Sequence, residues 1–331
     1  DVLIGSGATF IDFAENGAWH AVDGYLQQDK LSLNDYYQQP KIFNWQGKQY
    51  GLPFMENVTI FVYNKTMFQT AGVAPPTDTW TWNDMLDAAK KLTKPGQFGL
   101  IIPDGFEFAW WTFLWSRGGD SLSPDFKKTT LSAPKSVEAF QWLVDLKLVH
   151  QVSPKEGDTS LGTGDPFTGN KLAMTAAGTG SLGNWLTGIQ HFEWDLFYPP
   201  ADPSTDKRVV SSNGNPYLMT RDTKHPDQAW LMLKHLAGPS TQQSIAQTKI
   251  AMPTLISAAT DANGYKKAPP ASMNYTDMNM KISHDDEFHK YWSDWYSEIT
   301  KDMLSAFKGE KTVADAAKVA DQLGDQILQR E

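Results

Sequence analysis

The sequence predicts an α/β fold in which two hinged lobes share the chain. Segments typical of short strands alternate with amphipathic helices along the 331 residues, and this alternation favours α/β layering. A chain of this length corresponds to about two domains. Because no low-complexity linker divides the sequence, we expect the chain to cross back and forth between two lobes.

The first element is a buried strand at the beginning of the chain. Its apolar run leads directly into the glycine turn Gly5-Ser6-Gly7, and a helix-like stretch follows over residues 9–15 until Asn16-Gly17 ends it. A chain that opens inside a strand is typical of a mature or trimmed product. We therefore expect a signal peptide, together with a first strand and helix, to precede Asp1 in the complete protein.

The later elements follow from hydrophobic period and punctuation. Short β-rich runs predict strands at residues 59–63, 98–102, 171–175, 193–197 and 217–220. Apolar stripes of helical period predict helices that begin at Thr81, Ser132, His225 and Thr312. In the first of these helices, Thr81 is expected to cap the N-terminus and Asp84 to complete a capping box.

The composition excludes several classes of protein. The 29 Lys and Arg residues stand against 38 Asp and Glu, a formal net charge of −9, so the chain lacks the basic surface that nucleic acid requires. The absence of cysteine excludes a disulfide scaffold, a thiol nucleophile and a Cys-ligated metal. No apolar run approaches the roughly 20 residues that span a bilayer. None of these exclusions accounts for the high number of tryptophans, which is 13.

No motif for a cofactor, a metal or a nucleophile is complete, and the sequence predicts none of the three. Residues 5–10 stand between a strand and a helix, as a dinucleotide loop would, but Phe10 replaces the third glycine. Residues 284–289, His-Asp-Asp-Glu-Phe-His, lack a metal spacing and are interpreted as a solvated acidic helix start. Glu56 and Glu107 lie beside aromatic residues and could form a glycosidase pair, although ordinary solvated carboxylates are the simpler interpretation.

Two aromatic clusters are the most informative feature. They occupy residues 106–115 and 291–296, and polar residues are interleaved in both. Tryptophan and tyrosine combine a broad apolar face with a polar tip, which suits a partly wet binding site. Sugars present C–H faces that stack on such rings. For any single ring, burial in the core is an equally good interpretation, because large aromatic side chains are commonly buried without a function.

Residues 50–82 carry the motif that resembles a known family. They read YGLPFMENVTIFVYNKTMFQTAGVAPPTDTWTW, which is similar to a signature of the extracellular solute-binding proteins of carbohydrate ABC importers, the maltose-binding-protein-like family. Further matches occur at residues 117–120, 167–174, 225–239 and 309–312. The resemblance therefore covers nearly the whole chain, and it is specific through the combination of motifs.

The resemblance implies a two-lobed, periplasmic-binding-protein-like fold of type II. In this fold two α/β lobes are joined by crossing segments that act as a hinge, and the ligand lies in the central cleft. We expect crossings near residues 98–102 and 211–215, and a third between residues 265 and 285. Lobe 1 then comprises residues 1–98 and 215–265, and lobe 2 comprises residues 99–214 and 266–331.

The resemblance also implies the residues of the ligand site, where the motifs match. The expected ligand-binding residues are Ser6, Thr9, Glu56, Asn57, Glu107, Phe108, Trp111, Gly180, Ser181, Asn213, Asn215, Trp292, Trp295 and Tyr296. Two departures are visible. Maltose-binding proteins carry a tryptophan and an aspartate in the first loop, where this chain has neither. Residues 179–181, Thr-Gly-Ser, stand where the family has a stacking tryptophan.

We therefore expect the substrate-binding component of an ABC importer, not an enzyme. It would capture a neutral sugar or short oligosaccharide by stacking on Trp111 and Trp295 and by hydroxyl contacts from Glu56, Glu107 and Asn215. Its partners would be the sugar and the membrane permease subunits, with no nucleic acid. We expect a monomer that is periplasmic or extracellular, either free or lipid-anchored.

Two alternatives stay open. Residues 178–182, Gly-Thr-Gly-Ser-Leu, resemble the small-residue loop of glycerol-3-phosphate-binding relatives, where backbone N–H groups could hold a phosphate. The ligand would then be a glycerol phosphate, a glycerophosphodiester or a sugar phosphate. The second alternative belongs to another class, a glycosidase that uses Glu56 and Glu107.

Overall fold

The computed structural model describes residues 1–37, 43–105, 107–155 and 158–330, without the side chains of residues 107 and 108. Its helices are α1 (Gly7–Glu15), α2 (Asp23–Asp29), α3 (Lys65–Ala71), α4 (Trp82–Leu92), α5 (Glu107–Arg117), α6 (Pro134–Leu148), α7 (Leu182–Gly188), α8 (Pro226–Ala237), α9 (Pro239–Thr248), α10 (Ile256–Ala259), α11 (Asn274–Met280), α12 (Trp292–Phe307) and α13 (Val313–Leu328). A 3₁₀ turn (Thr179–Ser181) precedes α7. The strands are β1 (Val2–Ile4), β2 (Asn44–Trp45), β3 (Lys48–Gln49), β4 (Gly51–Asn64), β5 (Phe98–Ile101), β6 (Leu172–Gly178), β7 (Trp194–Phe197), β8 (Val210–Met219), β9 (Met252–Pro253) and β10 (Ser283–Asp285).

The 14-residue strand β4 organises the main sheet. Its first half pairs antiparallel with β8, from Gly51 opposite Leu218 to Val58 opposite Ser212. Its second half pairs antiparallel with β6 and β7 instead. The strand order along the sheet is β1-β8-β4-β6-β5, and β10 adds a parallel pairing to β8. One continuous strand therefore belongs to both halves of the sheet.

Two large hydrophobic cores lie against the two faces of β4. Successive side chains of a strand point to opposite faces, and accordingly Phe61 and Tyr63 belong to one core while Ile60 and Val62 belong to the other. The first, here called the α5 core, collects side chains from α3, α4, α5, α6, α12 and α13. The second, the α8 core, collects side chains from α7, α8, α9 and α10.

Three chain segments lie side by side where the cores meet. Val58 of β4 stands opposite Ser212 of β8, and Ser212 in turn stands opposite Asp285 of β10. Helices α3 and α4 share the α5 core with α5 and α6, which favours a first crossing within β4 rather than near residues 98–102. The lobe boundaries 1–98 with 215–265, and 99–214 with 266–331, stay a prediction.

The helix signals in the sequence are confirmed where a cap was expected. Thr81 Oγ1 accepts a hydrogen bond from the Asp84 backbone N–H at 3.4 Å, and the Asp84 carboxylate accepts one from the Thr81 backbone N–H at 2.8 Å. Thr312 caps α13 through the backbone N–H of Asp315 at 3.1 Å. Within the described residues, no helix is long and apolar enough to cross a membrane.

One local prediction is wrong. Residues 284–289 were expected to start an acidic helix, but His284 and Asp285 belong to β10, and α12 begins only at Trp292. The reason is pairing: the backbone of β10 is held extended by its parallel register with β8. Such a long-range contact overrides the local preference of a charged segment for a helix N-terminus.

Candidate ligand-binding site

The side chains that share one face of β4 and β8 form a polar floor. Asn57 stands directly opposite Asn213, and Met55 stands opposite Asn215. Alternation along the two strands places all four side chains on the same face, and all four are half-buried. We call this set, Met55, Asn57, Asn213 and Asn215, the amide floor. It contains three of the predicted ligand-binding residues.

The 3₁₀ turn after β6 closes one side of the amide floor. Asn57 Oδ1 accepts hydrogen bonds from the Gly180 backbone N–H at 3.2 Å and from Thr179 Oγ1 at 3.3 Å. A Cβ atom on Gly178 would lie only 2.3 Å from Asn57 Oδ1, so this contact requires a glycine. The predicted site residue Gly180 therefore lies beside Asn57, and Ser181 follows it in the same 3₁₀ turn.

Asn213 is held from the other side by Asp286, which is not among the predicted ligand-binding residues. Its Nδ2 donates to Asp286 Oδ2 at 2.9 Å, and Ser211 Oγ donates to Asp286 Oδ1 at 2.6 Å. The backbone N–H of Asp286 donates to the Ser212 carbonyl at 2.9 Å. Asp286 is only 8 % exposed, so its carboxylate is fixed between its own chain segment and β8.

Helix α5 approaches the floor along β8. Ser116 lies beside Val209, whose N–H donates to Ser116 Oγ at 2.9 Å. One turn earlier in the helix, Thr112 Oγ1 accepts from the Ser211 N–H at 3.2 Å and donates to Thr59 Oγ1 at 3.3 Å. A helical turn and two strand residues advance by a similar distance, so the first turn of α5 continues in the direction of Asn213.

That first turn contains Glu107 and Phe108. Their side chains lie outside the described part of the structure, and the roles expected of them in the ligand site stay predictions. The same holds for the separation between Glu107 and Glu56 on which the glycosidase alternative depends.

Glu56 does not belong to the amide floor. Its side chain lies on the face of β4 opposite to that of Asn57 and is 1 % exposed. Oε1 accepts from the Asn57 backbone N–H at 3.2 Å, whereas Oε2 has no hydrogen-bond partner among the described residues. Burial, followed by the carboxylates of Asp285 and Asp286, raises the pKa of Glu56 well above its ordinary value. The expected hydroxyl contact from Glu56 is therefore not supported by this placement.

Ser6 and Thr9 surround the start of α1. A Cβ on Gly7 would lie 2.5 Å from Phe288 Cε2 and 3.2 Å from the Gly214 carbonyl oxygen, so α1 begins close to the middle of the floor strand β8. Ser6 and Thr9 themselves line a separate cavity of about 580 Å³, which is mostly apolar and includes Phe13 among its lining residues. They lie near the floor without joining it.

The two expected stacking tryptophans are buried in the α5 core. Trp111 is 1 % exposed and Trp295 is 0 % exposed, and their ring centroids are 6.4 Å apart. Trp295 Nε1 donates to Thr129 Oγ1 at 2.9 Å. Trp292 is also buried. The packing therefore corresponds to the core interpretation, and it leaves no free face on Trp111 or Trp295 for direct stacking on a sugar.

Tyr296 is more accessible than Trp292 and Trp295. It is half-buried, stacks on Trp292 at 5.5 Å with a 9° angle between the rings, and meets the edge of Trp111 at 5.9 Å. It lines a cavity of about 410 Å³ together with Thr300 and other residues of α12. Among the predicted aromatic residues whose side chains the structure describes, Tyr296 is therefore the best placed for stacking.

His289 was not predicted as a site residue, yet it lies beside the aromatic cluster. Its ring centroid is 5.6 Å from that of Trp292 and 5.3 Å from that of Trp295. Nδ1 is 2.6 Å from the Lys290 carbonyl oxygen, and Nε2 is buried without a partner among the described residues. Burial lowers the pKa of the His289 imidazole. Its position in the misread segment 284–289 explains why it was missed.

The charged groups near the floor are acidic. Asp285 and Asp286 flank the end of β10, and burial together with the nearby Asp120 carboxylate raises the pKa of Glu287 to about 7. The Lys290 ammonium lies 3.8 Å from the Glu15 carboxylate. Over the described ranges, no cluster of three or more His, Cys, Asp or Glu residues is suited to hold a metal ion.

Comparison with solved structures identifies the class of fold. The chain superimposes on an ABC substrate-binding protein from Listeria monocytogenes, solved in complex with cycloalternan, with a TM-score of 0.88. The match covers 100 % of this chain and 84 % of that one, at 20 % sequence identity. The likeness confirms the predicted two-lobed, type II periplasmic-binding-protein-like α/β fold.

Comparison of sequences then identifies the family. The family model of the bacterial extracellular solute-binding proteins matches residues 1–273, so the chain belongs to this family. This membership confirms the expected class, a solute-binding protein.

Individual relatives are more distant. A Brucella abortus protein described as a binding protein is 26 % identical over 250 residues, which cover 68 % of this chain and 55 % of that protein. The sn-glycerol-3-phosphate-binding periplasmic protein of the same species is 26 % identical over 169 residues, which cover 47 % of this chain and 36 % of the relative. The matches thus span about half the length of these relatives or less.

Proposed function

We propose that this protein is the substrate-binding component of an ABC importer and that it captures a neutral sugar or short oligosaccharide on the amide floor. The observation that carries the proposal is the facing pair Asn57 and Asn213 on the paired strands β4 and β8, of which β4 belongs to both halves of the sheet. Uncharged amides suit hydroxyl groups, because each amide both donates and accepts hydrogen bonds. Tyr296 supplies a ring for the C–H face of a sugar.

Closure of two lobes around the ligand would then present the bound state to membrane permease subunits. The proposal places the protein outside the cytoplasm, in the periplasm or on the cell exterior, in keeping with the family. A monomeric state and a lipid anchor remain predictions from the sequence.

The alternative ligand, a glycerol phosphate or sugar phosphate, has two observations in its favour and two against it. The small-residue turn at residues 178–182 and the glycerol-3-phosphate-binding relative favour it. However, the Gly180 N–H that could hold a phosphate already donates to Asn57 Oδ1. The carboxylate of Asp286, which binds Asn213, would also repel an anion. We therefore rank a neutral ligand first.

Thermal unfolding in the presence of candidate ligands tests the proposal. D-glucose, maltose, maltotriose, mannotriose and glycerol 3-phosphate are added separately, since a ligand that binds only the folded state raises the Tm. We expect a saccharide to raise the Tm and glycerol 3-phosphate to leave it unchanged. A shift with glycerol 3-phosphate alone would refute the neutral ligand.

Two variants test whether a saccharide that raises the Tm binds at the amide floor. Asn213→Ala is expected to weaken saccharide binding about tenfold, as the loss of a buried hydrogen-bonding group does. The matched control is Asn263→Ala, because Asn263 is exposed on the surface and is expected to keep the affinity of the unchanged protein. Equal affinity of both variants would place the ligand elsewhere.

A further inference from the structure

The side-chain amides of Asn57 and Asn213 are fixed in opposite senses. The side-chain carbonyl oxygen of Asn57 accepts hydrogen bonds from the Gly180 N–H and from Thr179 Oγ1. Its Nδ2 makes no hydrogen bond within the described residues, so the two N–H groups of Asn57 are left for another acceptor.

Asn213 shows the reverse arrangement. Its Nδ2 donates to Asp286 Oδ2 at 2.9 Å, and its Oδ1 makes no hydrogen bond within the described part of the chain. A carboxylate can only accept hydrogen bonds. Asp286 therefore excludes the flipped orientation of Asn213, in which two acceptors would face each other.

The orientation of Asp286 is itself fixed. Ser211 Oγ donates to its Oδ1 at 2.6 Å, and its backbone N–H donates to the Ser212 carbonyl. These contacts attach the segment after β10 to β8 at the level of the amide floor. A charge-assisted hydrogen bond from Asn213 to such a carboxylate is stronger than a bond between neutral groups.

From this geometry we infer that Asn57 and Asn213 form an oriented donor–acceptor pair that recognises adjacent hydroxyl groups, and that Asp286 is the positioning residue that sets its polarity. The inference rests on the proposed function and deepens it. Residues directly opposite each other in an antiparallel pair have Cβ atoms about 5 Å apart, so one ligand group can reach both amides.

The polarity of the pair determines which ligands it accepts. One hydroxyl group of a diol accepts from Asn57 Nδ2, and the adjacent hydroxyl group donates its proton to Asn213 Oδ1. A fully ionised phosphate or carboxylate has no proton for Asn213 Oδ1, and its oxygens would face that oxygen and the nearby Asp286 carboxylate. The site therefore selects a vicinal diol of a neutral sugar and disfavours anions.

The test compares two isosteric substitutions on the same segment. Asp286→Asn keeps the shape but adds an N–H₂ group, so that Asn213 can take either orientation. Asp285→Asn makes the same chemical change one residue earlier, where the side chain contacts Ser212 at 3.2 Å instead of Asn213. Affinities for D-glucose, maltose and maltotriose are measured by calorimetry, together with those for 2-deoxy- and 3-deoxy-glucose.

We expect Asp286→Asn to bind the saccharide about tenfold more weakly than Asp285→Asn, which is the effect of one charge-fixed hydrogen bond. The deoxy analogue that lacks the recognised hydroxyl should bind both variants equally, since the oriented oxygen no longer has a partner. A merely structural role for Asp286 would weaken the analogue and the parent sugar by the same factor, and that result would overturn the inference.

A second variant keeps the test decisive if Asp286→Asn does not fold, as judged by its melting transition. Asn57→Asp retains the oxygen that accepts from Gly180 and replaces the free N–H₂ group with a second acceptor, so saccharide affinity should fall by at least tenfold. Unchanged affinity would contradict the donor role.

If the unsubstituted protein binds no saccharide, the proposed function fails. If it binds one and Asp286→Asn behaves like Asp285→Asn, the function stands and the oriented pair fails.

Discussion

Replacement of Glu56 by glutamine is predicted to remove a pH dependence from the stability of this protein. Glu56 is 1 % exposed, has one oxygen without a partner among the described residues, and lies near Asp285 and Asp286. Burial in particular raises its pKa well above the ordinary 4.5. In the folded protein the carboxyl group therefore stays protonated at pH values where the unfolded chain has already released the proton.

The sign and size of the effect follow from proton linkage. Above pH 4.5 the folded state binds more protons than the unfolded state, so stability is full at lower pH and falls as the pH rises towards the folded pKa. The loss is about 1.4 kcal/mol for each pH unit in this window. Glutamine mimics the neutral acid in shape and carries no ionisable group, so the variant does not lose this stability.

Urea unfolding of both proteins at half-unit steps between pH 4.5 and pH 8 measures the effect. The free energy of unfolding of Glu56→Gln minus that of the unsubstituted protein should increase with pH. The control is Glu310→Gln, which neutralises an exposed carboxylate and should give a flat difference. A flat difference for Glu56→Gln as well would show that Glu56 ionises normally in the folded state, and the placement of its side chain would be refuted.

Two further predictions concern the turn and the aromatic cluster. Gly178→Ala should reduce saccharide affinity at least tenfold, because its Cβ would lie 2.3 Å from Asn57 Oδ1. Gly180→Ala should be tolerated, because its Cβ would lie 4.0 Å from that atom. Calorimetric titration measures the saccharide affinity of both variants, and equal affinities would contradict the contact between Gly178 and Asn57. Trp111 is a core residue, so Trp111→Ala should lower the free energy of unfolding by about 3–5 kcal/mol. Tyr296→Ala should mainly weaken sugar binding. Urea unfolding and calorimetric titration measure the two effects, and the reverse pattern would place Trp111 in the ligand site.

The helix caps that were predicted correctly from the sequence are those whose signals are local. The capping box at Thr81 and the cap at Thr312 lie where expected, because a cap depends only on residues within one turn. The first half of β4 and the first half of β8 were not predicted as strands. They contain glycine, proline and asparagine, which are depleted in strands, and they are extended because they pair with each other over a long sequence separation.

The candidate site lies in these same segments, so resemblance to a family located what local patterns did not. The family motif at residues 50–82 contains Asn57, and the crossing that the resemblance implies near residues 211–215 contains Asn213 and Asn215, whereas Asp286 lies in a segment that local patterns predict as a helix start. The burial of Trp111 and Trp295 depends on how α5, α12 and α13 pack together. That packing is a tertiary property, and no periodicity within either cluster could separate core rings from site rings.

The position of the amide floor also relates ligand binding to the hinge of the proposed function. Val58, Ser212 and Asp285 are in register across β4, β8 and β10, and Asn57, Asn213 and Asp286 are the next residues along these segments. The proposed function implies a hinge in these segments, so a ligand that bridges the two asparagines would contact residues whose dihedral angles a lobe movement changes. A ligand shifts such an equilibrium only through different affinities for its two states. We propose that the bond from Asn213 to Asp286 is the physical basis for that difference, because it makes the orientation of the ligand-facing oxygen depend on the relative position of β8 and the segment after β10.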